Sequence, residues 1–202
     1  MIRVKQAGAL ISLGILNVSC GIAHATPATW HSDPMGTSME LSFDHSRLIE
    51  VPLILGTVTA VAQIDDQNLT QSTLRITADL TGLLSYNERW PQQLRSDQFF
   101  AASAHPAITF ISRRIVRTAH GYTVSGNLDM HGVSRPVDFA LSWSDILTYE
   151  GRRFRGVTLT GEVNWHDFGM TYQDEPQLRA NPEFGNTFKL KINAELSVSP
   201  PP

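Results

Sequence analysis

Residues 157–165 read Val-Thr-Leu-Thr-Gly-Glu-Val-Asn-Trp. Val157, Leu159, Val163 and Trp165 alternate with Thr158, Thr160, Glu162 and Asn164. A period of two places successive side chains on opposite faces of a strand, here one dry and one wet. Nine residues at that period span roughly 30 Å. Sandwich strands are usually shorter, so long strands with one dry face favour a tilted sheet that closes on itself. Gly161 falls on the dry face. A glycine there leaves room for a bend, for a neighbouring ring, or for a ligand.

The same alternation recurs along the chain. Thr37, Met39, Leu41 and Phe43 share a face, as do Leu74, Ile76, Ala78 and Leu80. So do Tyr122, Val124, Gly126, Leu128 and Met130, then Val137, Phe139, Leu141 and Trp143, and finally Phe188, Leu190, Ile192, Ala194 and Leu196. Residues 51–64 read as a longer strand with a bend or bulge at Gly56. Residues 107–113 read as a short apolar one. The pattern predicts an all-β protein, an eight-stranded antiparallel barrel whose interior has room for one small ligand. One helical segment interrupts it, around residues 87–98, with Pro91 near its start. Residues 166–185 form a long irregular stretch of the kind that serves as a binding element or lid.

The first residues stand apart. Arg3 and Lys5 precede an apolar run over residues 7–18, and Ala23-His24-Ala25 is a small-x-small cleavage signal. Residues 1–25 therefore read as a secretory signal peptide, leaving residues 26–202 as a single domain. Cys20 is the only cysteine. Asn17 stands where a lipoprotein signal carries an aliphatic residue, which argues against a lipid anchor at Cys20. After cleavage the domain has neither thiol nor disulfide. The net charge is −3, and losing Arg3 and Lys5 makes it more acidic, so the basic footprint of a nucleic-acid binder is absent.

No catalytic or metal motif stands out. Asp167-Phe168-Gly169 matches a kinase triplet without the glycine-rich loop that should accompany it. The histidines lack the tight spacing of metal ligands. An exported barrel enzyme would have to bring Asp129, His131 or His166 together, within about 4 Å beside a cavity. A third possibility is an interaction protein whose barrel is filled by its own side chains and which exposes an apolar patch elsewhere.

Residues 94–110, LRSDQFFAASAHPAITF, pose a narrower question. Phe99 and Phe100 stand where a loop is expected. They read as packing that ends the helical segment and holds it to the barrel, with a ligand-gating role as the alternative. Pro106 favours extended entry into the next strand.

Leu94-Arg95-Ser96, Phe99-Phe100, Pro106 and Ile108-Thr109-Phe110-Ile111-Ser112 give the chain its resemblance to a known family, the YceI proteins, which are exported, lipocalin-like and polyisoprenoid-binding. Gly126, Leu128, Gly132-Val133 and Pro136-Val137 are similar to that family's hairpin. Asn164 and Asp167-Phe168-Gly169-Met170 are similar to its late segment. Residues 51–58 depart from its pattern, and Trp165 stands where an arginine is common. The resemblance implies a lipocalin-like barrel with one short helix and a dry interior holding an isoprenoid lipid, a polyprenyl or quinone tail. It implies a non-enzymatic periplasmic protein, with the lipid as ligand and no cofactor or metal. Homodimerisation and transient contact with a membrane surface are left open. The expected liners are Phe110, Val124, Leu128, Phe139, Leu141, Leu159, Val163, Phe188 and Leu190, with Gly126 and Gly161 leaving room and Phe168 and Met170 at the rim.

Overall fold

The computed structural model describes residues 27–172 and 184–198. The expected signal peptide, Cys20 and residues 173–183 of the long irregular stretch lie outside the described residues. Among the described residues there are ten strands: β1 (Ala28–His45), β2 (Ile49–Ile54), β3 (Val58–Ile64), β4 (Thr73–Asp79), β5 (Ala107–Thr118), β6 (Gly121–Met130), β7 (Val133–Trp143), β8 (Leu147–Tyr149), β9 (Arg152–Asn164) and β10 (Phe184–Val198). The helix α1 spans Arg89–Leu94.

The strands follow the order β10-β1-β3-β4-β5-β6-β7-β9, and β9 pairs back onto β10 to close the sheet. β2 and β3 are two halves of one stave. β2 runs beside residues 40–45 of β1, and β3 beside residues 28–31. Counted so, eight antiparallel staves close the barrel, as the alternation predicts. β8 lies outside, paired to the start of β9.

The places where alternation is hard to read are the places where the ladder slips. Across β2 and β3 the buried positions run Val51, Leu53, Leu55 and then Val58, Ala60, Ala62. The phase changes at Gly56, where a Cβ would lie 2.9 Å from the Cα of Gly82. Only glycine permits that backbone approach. In β5 the register with β6 slips between Ser112 and Arg114. The inward residues are therefore Ile108, Phe110 and Ser112, then Ile115. The Ser112 hydroxyl accepts the Leu74 amide at 2.7 Å and keeps a buried donor satisfied. This bulge is why the sequence reading stops at residue 113, although the strand continues to Thr118. A third slip, between Ser32 and Thr37, hides the first half of β1.

α1 is shorter than its expected span, with Pro91 in its first turn, where the missing N–H does no harm. Turns take over directly after it. The Phe100 amide donates to Leu94 O at 3.0 Å and the Ala101 amide to Ser96 O at 2.8 Å. Phe99 and Phe100 are fully buried. Phe99 stacks on Tyr172 with centroids 4.5 Å apart, and Phe100 on Phe188 at 5.5 Å. With Phe43, Trp90, Trp165 and Phe184 they make an aromatic cluster that closes the α1 end of the barrel. The packing role is the one observed.

Candidate functional site

The inward rows form one apolar surface. Phe110, Val124, Leu128, Phe139, Leu141, Leu159, Val163, Phe188 and Leu190 are all buried. Closure makes them lateral neighbours: Phe110 lies across from Leu128, Val124 from Phe139, Leu141 from Leu159, and Val163 from Phe188. Small side chains, Ala60, Ala62, Ala78 and Ala194, are buried with them.

Gly126 and Gly161 resolve differently from the ligand option. A Cβ on Gly126 would lie 2.4 Å from the Ile111 carbonyl oxygen and 2.6 Å from the Phe110 ring, and one on Gly161 would overlap the Phe139 ring. The gaps are therefore occupied by rings, the aromatic filling weighed for these glycines. Phe110 and Phe139 then meet edge to face, with centroids 5.1 Å apart. This geometry suits the ring quadrupoles.

Phe168 and Met170, expected at the rim, are buried. The reason is a short 3-10 turn over Trp165–Phe168 that folds the loop back onto the barrel. Asn164 caps it, its side-chain oxygen accepting the His166 amide at 3.0 Å. Gly169 ends it in the left-handed region at φ 76°. Arg135 Nε donates to Asp167 O at 2.7 Å, and His131 Nδ1 lies 3.0 Å from Phe168 O. Trp165, expected on a strand, begins this turn, and its indole donates to Gly185 O at 2.6 Å.

Of the groups an enzyme would need, His131 packs against the turn that carries His166, and Asp129 lies on the neighbouring strand β6. Asp129 is exposed, opposite Ser134 on the outside of the β6–β7 hairpin. His131 faces the Phe168 carbonyl and lies edge-on to His105. His166 stacks on Trp165. Among the described residues, no group of three or more histidine, cysteine or acidic side chains is placed to hold a metal ion.

A groove of about 440 Å³ runs over the outside of β1, β2, β9 and β10. It is charged. Glu50 accepts from Lys189 at 2.5 Å and from Ser42 at 2.6 Å. The Lys189 bond, with help from Ser42, holds the Glu50 carboxyl below its ordinary range, and the same bond raises the Lys189 ammonium.

The sequence reading passed over the barrel end farthest from α1. There Arg155 is buried on the same face of β9 as Val157 and Leu159. Carrying the period of two back from Val157 would have found it.

The family model described as the YceI-like domain matches residues 30–196. A UPF0312 protein of Yersinia enterocolitica is 28% identical over 109 residues, covering 53% of this chain and 56% of its own length. The match thus spans just over half of that relative. A UPF0312 protein of Staphylococcus aureus is 24% identical over 132 residues, 63% of this chain and 74% of its own. Among solved structures, BcnA of Burkholderia cenocepacia superposes with a TM-score of 0.64 at 15% identity, over 83% of this chain and 99% of its own. A polyisoprenoid binding domain from Saccharophagus degradans, implicated in plant cell wall breakdown, gives 0.61 at 12% identity, over 86% and 99%. At these identities the two structures speak for the shared fold.

Proposed function

This chain belongs to the YceI-like family, and from that premise we propose that it is an exported, non-enzymatic binding protein holding an isoprenoid-like amphiphile in its barrel. The observation that carries the reading is the closed sheet with a continuous apolar lining, from Phe188 and Val163 near α1 to Val157 and Ala194 toward the far end. Burying a polyprenyl or quinone tail there contributes about 25 cal/mol per Å² of apolar surface. No catalytic group is needed for that, and the lipid is cargo, not cofactor. The name of the Saccharophagus domain supports the ligand class. A tail running the length of the barrel requires Phe110 and Phe139 to turn aside. The signal-like residues 1–25 support export to the periplasm, with cleavage ahead of residue 26 and no lipid anchor at Cys20.

A second reading has its own observation. Ile54 and Leu84 are bridged and exposed, and Leu48, Ile49 and Tyr86 are exposed nearby in sequence. A self-filled barrel would act through such a surface, on a partner protein or a second copy of itself. A carrier would use it for transient contact with a membrane. Native mass spectrometry of protein purified from its own periplasm, followed by lipid extraction, separates the two. The carrier reading expects a co-purifying prenyl lipid or quinone. Protein that arrives empty and takes up no quinone in titration leaves the second reading standing.

A further inference from the structure

Gly161 divides the inward row of β9 unequally. Toward α1 the next inward residue is Val163, which lies across from Phe188. Phe188 stacks on Phe100, part of the cluster that closes that end. Aromatic packing therefore reaches from α1 to within one inward position of Gly161. Away from α1 the row continues with Leu159 and Val157 and then meets Arg155. Ile192 lies across from Leu159, and Ala194 across from Val157. The lining on this side is aliphatic, and Ala194 is small.

The ring pair stands between the two halves. Phe139 occupies the seat above Gly161, and Phe110 meets it at 66°. Ile76 lies across from Phe110, Leu190 across from Gly161, and Leu41 across from Leu190. Phe110, Phe139, Ile76, Leu41 and Leu190 are each 3% exposed or less. Among the described residues, therefore, no water-wide passage runs past the pair. The two halves differ in how they can yield to a guest. Aliphatic side chains hop between rotamers in a packed interior. The Phe139 ring can leave its seat only into space that other side chains already hold.

We propose that Phe110 and Phe139 form a floor that sets the length of the bound chain. The proposal rests on the carrier reading and adds the length class of the ligand. The barrel takes a short prenyl chain, or the last units of a longer one, from the end away from α1, and leaves any remainder outside. Gly161 and Arg155 are six residues apart. That is about 20 Å of strand, or about 15 Å along the axis at the usual tilt, which holds about three isoprene units. A long polyprenyl or quinone tail then gains nothing over a short one.

The test titrates purified, delipidated protein with geraniol, farnesol and geranylgeraniol, followed by calorimetry. Each alcohol is one isoprene unit longer than the last, and all share the same hydroxyl. Farnesol should bind roughly tenfold or more tightly than geraniol, because its added unit is buried. Geranylgeraniol should stay within about threefold of farnesol, because its added unit is not. Phe139→Leu should open the floor and make geranylgeraniol the tighter of the two by roughly tenfold or more. Phe110→Leu should do the same if the first variant fails to fold. Phe100→Leu, which thins the cluster at α1 and keeps the pair, should not move the break. Affinity that keeps climbing tenfold from farnesol to geranylgeraniol in the parent protein overturns the floor. A break that neither change in the pair moves, or that Phe100→Leu moves as far, overturns its assignment to Phe110 and Phe139. Protein that binds none of the three alcohols removes the carrier reading and this proposal with it.

Discussion

Gly161 and Phe139 show what one missing methyl group does inside a barrel. The Phe139 ring lies over Gly161, where a Cβ would overlap it, whereas a Cβ on Gly126 would meet the Ile111 carbonyl as well as the Phe110 ring. Filling such a seat in a packed core forces rings off their rotamers, at a cost of about 1–3 kcal/mol. Gly161→Ala should therefore lower unfolding free energy by about that much in urea titrations. Adding Phe139→Leu should restore part of it, because the two changes meet in the same space. Strictly additive losses would mean the glycine serves something other than the ring. This also limits what a larger substitution reports: leucine at 126 or 161 would displace a ring whether or not a lipid binds. The sequence placed both glycines on the inward face. It did not say what lay above them, because that depends on the reach of a side chain from another strand.

Across neighbouring strands, Ser42 of β1, Glu50 of β2 and Lys189 of β10 form one surface chain of hydrogen bonds. Glu50 is more acidic in the folded protein than its ordinary value of 4.5. Its contribution to stability is thus full above 4.5 and is lost as the pH falls through the lower folded value. Lys189 is raised from 10.5, so its contribution is full below 10.5 and lost as the pH climbs past the raised value. Both groups are exposed to solvent, which keeps the effect small. Glu50→Gln should melt slightly below the parent protein at neutral pH, and the gap should close on acidification below 4.5. A gap that persists unchanged down to about pH 3 would mean the carboxylate charge is not its source. At this scale the sequence was legible where the ladders are regular, as in β6 and β9. It was least legible in β1, β2–β3 and β5. There a slip reverses the inward phase, and no residue type announces a slip as plainly as Gly56 does.

Over the whole molecule, closure brings β1 against β10, so that Leu41 lies across from Leu190 and Phe43 from Phe188. Pairings this distant along the chain close large loops before they gain contacts, and such topologies fold in roughly milliseconds to seconds. Stopped-flow refolding followed by tryptophan fluorescence should show its main phase in that range, since Trp30, Trp90 and Trp165 are at or near the barrel ends. A microsecond main phase would show that the indoles report on local collapse and not on closure. The alternation by itself determined the staves with regular ladders and their inward rows, because a strand's two faces follow from backbone geometry alone. The tertiary structure decided what those rows enclose. It seated Phe110 and Phe139 on their glycines, folded Phe168 and Met170 into the core, and set Arg155 beside Asp66, 89 residues away. The occupant of a gap and the partner of a charge are fixed only when closure brings distant strands and loops together.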